Sequence, residues 1–141
     1  MDLNTFNFSL PIQIRWNDLD ALGHVNNAVY VTYFEVARGY FMLEAAPGWN
    51  WKKDMFLIAS VKVDYRKELL LTSQDVRVYI KVANLGNKSF ELHYAIASQK
   101  GEERVIHATG STTQVMFDLV EKKSIEIPDW VRTSLEKHDN L

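Results

Sequence analysis

The chain has 141 residues, 47% of them hydrophobic and seventeen aromatic, with a net charge of -2 and no cysteine. That length suits one domain, residues 1–141, with a sizeable core, and it argues against disorder. Near-balanced charge speaks against bulk nucleic-acid binding or a polybasic membrane contact. The lack of cysteine excludes disulfides and thiolate chemistry.

The start, MDLNTFNFSL, has neither a basic n-region nor a long apolar run. No apolar stretch approaches the roughly 18 residues that span a bilayer. The expectation is a soluble cytoplasmic protein without a membrane partner. Residues 7–16 read as a first strand, with Pro11 tolerable near a strand start or edge. Val29, Thr32, Tyr33, Val36, Ala37, Tyr40 and Phe41 then recur at spacings of three and four, which predicts a helix over 27–43. Val31, Phe34 and Met42 widen its apolar surface, so most sides should be covered. It should stop before Pro47-Gly48.

After PGWNWKKD the texture changes. Residues 56–66, 75–84, 88–99 and 104–118 are rich in Val, Ile, Tyr, Phe and Thr, and the turns NLGNKS and QKGEE are short. Short connections favour an antiparallel meander over parallel βαβ units. A shorter strand over 123–127 follows. Pro128 suits the first position of a terminal helix docked by Trp130, Val131 and Leu135. The chain is therefore α+β, with one long central helix wrapped by a curved antiparallel sheet of five to six strands. Uncovered edges favour a homo-oligomer with a continuous sheet.

Polar residues crowd the helix entrance in WNDLDALGHVNN, residues 16–27. Asn26 or Asn27 can cap the first free amides, Asp18 and Asp20 can complement the helix dipole, and Gly23 can supply a turn. That accounts for one cap and one acid, but not for the whole cluster. Free N–H groups at a helix start also stabilise developing negative charge, and a carboxylate beside them can act as nucleophile or general base. A carbonyl oxygen on the amides, with its carbon facing the carboxylate, is the arrangement for acyl transfer.

The run D-L-D-A-L-G-H-V-N-N, residues 18–27, resembles the signature of the hotdog-fold acyl-CoA thioesterases of the 4-hydroxybenzoyl-CoA thioesterase family. It follows I-R-W and precedes Y-x-x-Y-F-E-x-A-R, as in that family; V-D-Y-R (63–66) and L-G-N-K-S-F-E-L (85–92) resemble it too. The likeness spans roughly residues 8–130. It implies one helix wrapped by a curved sheet and hydrolysis of an acyl-CoA to the free acid and CoA. It implies Asp20 as the catalytic carboxylate and the backbone amide of Asn27 as the holder of the thioester oxygen. Asp18 would be structural, and His24 and Asn26 would fix the loop. Family members often carry a proline after the strand matching 61–66, where this chain has Lys67-Glu68-Leu69.

Coenzyme A brings phosphates, for which Arg66, Lys67 and Lys88 are candidates, with Ser89 adding a hydrogen bond. Solvated turn lysine is the equal alternative for Lys88. Tyr30, Tyr33, Phe34 and Glu35 lie where an acyl chain would run; core packing is the simpler reading for Tyr33 and Phe34. Glu35 either pairs with Arg38 or faces the acyl end. The substrate-binding candidates are thus Gly23, His24, Asn26, Tyr30, Glu35, Arg66, Lys88 and Ser89. No metal or separate cofactor is expected, CoA being part of the substrate, and the resemblance implies a dimer or a tetramer of dimers. The alternatives are a thioesterase acting on acyl carrier protein, or a non-catalytic acyl-CoA-binding hotdog module. A hotdog dehydratase ranks lower, because G-H-V-N-N is not a dehydratase setting for histidine.

Overall fold

A computed structural model describes residues 1–141. Its elements in order are β1 (Phe8–Pro11), α1 (Asn27–Ala45), β2 (Phe56–Tyr65), β3 (Gln74–Leu85), β4 (Ser89–Lys100), β5 (Glu103–Asp118), β6 (Lys123–Ser124) and α2 (Asp129–Asp139). All strand pairs are antiparallel, in the order β1-β3-β4-β5-β2, with β6 paired to the end of β5. Register shifts between Ile58 and Ser60, Val82 and Asn84, and Ile96 and Ala97 bend and twist the strands. The result is a curled sheet around α1.

The inner face of β3 shows strict alternation, with Val76, Val78, Ile80 and Val82 buried. Phe90, Leu92 and Tyr94 continue that face on β4. Against it α1 buries Tyr30, Tyr33, Phe34, Ala37, Phe41, Met42 and Ala45. Phe34 stacks on Tyr94 with ring centroids 4.3 Å apart. Gly110 of β5 permits that approach, since a Cβ there would lie 2.6 Å from Phe34 Cε2 and 2.5 Å from the Lys62 carbonyl oxygen.

Several expectations need correction. The first strand is Phe8–Pro11 rather than 7–16: Pro11 brings no N–H, only Ile12 N–H continues the pairing, to Val76 O, and the chain then enters a one-turn helix at Trp16–Asp18. The buried face of α1 is rotated from the expected stripe, because Thr32, Val36 and Tyr40 face outward while Tyr30, Phe34 and Arg38 face the sheet. The helix is therefore not covered on most sides. Pro128 is the N-cap of α2 rather than its first residue. Val131 and Leu135 dock that helix, whereas Trp130 remains 40% exposed. The last strand is only Lys123–Ser124, although Ile125 N–H still reaches Met116 O.

Arg38 does not pair with Glu35, which is exposed. Its guanidinium turns into the core, donates to the Tyr94 hydroxyl at 3.3 Å and sits 5.9 Å from the Phe56 ring centre. The Tyr94 and Thr112 hydroxyls share a 2.6 Å hydrogen bond, and Thr112 donates to Gln114, whose amide nitrogen reaches Phe90 O. A buried cation is tolerable only with such hydrogen-bonding partners.

Candidate active site

Residues 18–26 form a small loop closed onto itself. Asn26 N–H donates to Asp18 O at 2.8 Å, and Asp20 N–H donates to His24 O at 2.8 Å. Gly23 turns the loop at φ +80°, a conformation that strains any residue with a Cβ. Asp18 is 1% exposed. Its carboxylate accepts from the Tyr33 hydroxyl at 2.7 Å, from Arg15 N–H at 3.0 Å and from the Arg15 guanidinium at 2.9 and 3.2 Å. Burial pushes the Asp18 carboxyl up, but these hydrogen bonds outweigh it and hold the pKa below the usual value. Burial, with Asp18 second, raises the Tyr33 phenol. Asp18 is thus an internal brace of the loop.

Asp20 differs. Only its Oδ1 is engaged, accepting from Leu22 N–H at 2.9 Å and His24 N–H at 3.2 Å. The second carboxylate oxygen makes no hydrogen bond within the chain. The loop delivers α1 with Asn26 as N-cap: its side-chain oxygen accepts from Ala28 N–H at 2.9 Å and its carbonyl from Val29 N–H at 2.9 Å. The N–H of Asn27, first of the helix, donates to nothing in the chain. It carries the positive end of the helix dipole.

Asp20 and Asn27 line one cavity of about 350 Å³, together with His24, Val25, Tyr30, Tyr65, Arg66, Lys67 and Glu68. The Tyr65 hydroxyl donates to Asn27 O at 2.7 Å, tying the end of β2 to the first residue of α1. Burial raises the phenol pKa of both Tyr30 and Tyr65. Residues 69 and 70 close the other side of the loop, where Val25 N–H donates to Leu69 O at 2.8 Å and His24 bridges Leu70.

Of the sequence candidates, Asp20, His24, Asn27, Tyr30 and Arg66 meet in this cavity. Gly23 shapes its loop and Asn26 caps its helix without lining it. Glu35 is exposed on α1, outside the cavity. Lys88 and Ser89 lie at the β3–β4 turn, also outside it, where Lys88 O accepts from Met116 N–H and Ser89 O from Gly86 N–H. Tyr65 and Glu68 are lining residues that sequence reasoning did not single out. Tyr65 stood in the V-D-Y-R segment, but its partner is 38 residues away. No three His, Asp or Glu side chains group as a metal site would require.

A helix start offering a free amide, in one cavity with a half-free carboxylate, fits acyl transfer. A sequence profile of the thioesterase-like superfamily matches residues 14–135. The chain belongs to that superfamily. It is 28% identical over 129 residues to the long-chain acyl-CoA thioesterase FadM of Escherichia coli (strain K12), covering 89% of this chain and 95% of FadM. It is 30% identical over 132 residues to the uncharacterized protein YsmA of Bacillus subtilis (strain 168), covering 93% and 86%. Among solved structures, a thioesterase from Thermus thermophilus complexed with coenzyme A and Zn superposes with TM-score 0.83 at 28% identity, over 97% of each chain. The fold is the hotdog fold, and the protein is a thioester hydrolase.

Proposed function

We propose that the chain hydrolyses acyl-CoA thioesters to the free acid and CoA, with Asp20 as the catalytic carboxylate and the Asn27 amide as the oxyanion donor. The observation that carries this reading is the meeting of a carboxylate with a free oxygen and an unpartnered helix-start N–H in one cavity. The thioester carbonyl oxygen sits on the Asn27 N–H, which stabilises the charge that develops there. The free Asp20 oxygen then acts by one of two routes. It attacks the carbonyl carbon, expelling CoA thiolate and leaving a mixed anhydride that water opens. Alternatively, it takes a proton from the water that attacks.

Arg66 and Lys67 at the cavity edge supply positive charge for the CoA phosphates. The names of FadM and of the CoA-bound Thermus thermophilus enzyme support CoA as the carrier. Exposed apolar side chains on the edge strand β2 (Leu57, Ile58, Val61) and on the outer face of α1 (Val36, Tyr40, Leu43) support a homo-oligomer.

The test is thiol release from short, long and aromatic acyl-CoA substrates, with the same acyl groups presented on acyl carrier protein. Release from at least one CoA substrate, exceeding release from the carrier-protein form, is the expected result. Preference for the carrier protein would move the substrate class. Binding of every acyl-CoA without release would make the domain a binding module.

A further inference from the structure

We propose that His107 is a positioning residue for the thioester site: its ring holds the Arg66–Glu68 segment, one wall of the cavity, against the loop that carries Asp20 and the Asn27 amide. This rests on the hydrolytic reading of that site.

The segment from Arg66 to Glu68 is thin. One side lines the Asp20 cavity. Lys67 and Glu68 also line a second cavity of about 510 Å³, which Ser98 and His107 border. Its three side chains are exposed, so up to the buried Leu69 it is hydrogen bonds rather than side-chain packing that hold it. His107 grips it three times. Its carbonyl accepts from Arg66 N–H at 2.8 Å and from Lys67 N–H at 3.2 Å, and its Nδ1 lies 3.0 Å from Glu68 O.

The tautomer follows from these partners. A carbonyl only accepts, so Nδ1 carries the proton and donates to Glu68 O. Nε2, 2.7 Å from Ser98 Oγ, then accepts from the serine hydroxyl. Both side chains are 5% exposed. Burial lowers the imidazole pKa, in keeping with a neutral ring.

From Glu68 the line runs into the catalytic loop. The next residue, Leu69, accepts Val25 N–H through its carbonyl, and Asn26 N–H follows onto Asp18 O. The free N–H of Asn27 comes one residue later. A shift of Glu68 therefore moves the anchor of Val25, and with it the closed loop that carries Asp20 and the Asn27 amide, relative to Arg66 and Lys67 on the facing wall of the cavity. Small misplacements of this kind carry large rate penalties.

The test divides the two ring nitrogens. His107→Asn keeps an N–H where Nδ1 stands and gives up Ser98. His107→Gln reaches Ser98 and gives up Glu68. Each loses one buried hydrogen bond, so a purely structural role would make them equally poor. Positioning predicts that H107N and Ser98→Ala stay within about threefold of wild-type kcat, while H107Q falls about tenfold, the rate equivalent of one hydrogen bond. Amide exchange gives a second readout that needs no activity: Val25 N–H should exchange faster in H107Q than in H107N. Equal loss of turnover in H107N and H107Q, or equal Val25 exchange, would overturn the proposal. A wild type that releases no thiol, but with Val25 exchange split as expected, would overturn the hydrolytic reading and keep the positional link.

Discussion

Replacing Asp18 by Asn changes a single group in the interior of the loop. The carboxylate receives only donors: a backbone N–H, a guanidinium and the Tyr33 hydroxyl. An amide offers one acceptor oxygen and turns an NH2 toward the rest, so at least one donor loses its partner. The Arg15 side chain is 72% exposed, and its share is screened by water. What remains is a buried charge-assisted hydrogen bond from Tyr33 and a backbone donor, together about 2–3 kcal/mol. For a chain of this length that lowers Tm by roughly 5–10 °C. Because Asp18 is held below its usual value, its stabilisation is complete above the unfolded carboxyl pKa and is lost as pH falls through the folded one. Urea unfolding of wild type and D18N should show the full gap at pH 7 and convergence in acid. Equal stability at pH 7, or a gap that persists at the acid end, would refute the reasoning.

Gly110→Ala places a methyl 2.5 Å from the Lys62 carbonyl oxygen and 2.6 Å from the Phe34 ring; denaturant melts should show a loss of about 3 kcal/mol, since backbone cannot yield cheaply. His138 bridges Asp139 Oδ1 at 2.6 Å and Glu44 Oε2 at 2.8 Å, and these partners raise its pKa against the opposing effect of burial. Its contribution is present below the ordinary histidine value and lost as pH rises through the folded one. Wild-type stability should therefore decline through that window, and a His138→Gln variant should show a flatter profile in the same melts. Tyr65→Phe removes the hydroxyl that holds Asn27 O at an exposed position. Steady-state assays should show kcat down severalfold, with stability changed by less than about 1 kcal/mol.

The order of elements was legible because the helix and the long β-rich runs differ in period and in side-chain branching. The rotation of α1 was not. Spacing alone admits Val36 and Tyr40 to the core stripe and excludes Arg38, whereas the packed molecule buries Arg38 on the Tyr94 hydroxyl, which is itself bonded to Thr112. A charged residue enters a core only through partners that lie far off in sequence, here 56 residues away. The first strand read too long because its apolar residues continue past Pro11, while the chain leaves β3 after Ile12 N–H pairs with Val76 O.

At the site, Asp20, Asn27 and the cap Asn26 were readable because the loop and helix start are contiguous in sequence. Asp18 and Asp20 differ in their surroundings for a physical reason: Tyr33 and Arg15 saturate Asp18, while Asp20 keeps a free oxygen. Tyr65 and His107 escaped notice because their partners, Asn27 and Glu68, sit 38 and 39 residues away across the sheet. Lys88 and Ser89 matched a family segment, yet the β3–β4 turn carries them away from the cavity of their own chain.

The most direct measurement is acyl-CoA turnover by wild type and by Asp20→Asn, with circular dichroism confirming the fold of both. With Asp20 as the catalytic carboxylate, kcat should fall by on the order of a thousandfold with KM little changed. Turnover near the wild-type level in folded Asp20→Asn would contradict that role.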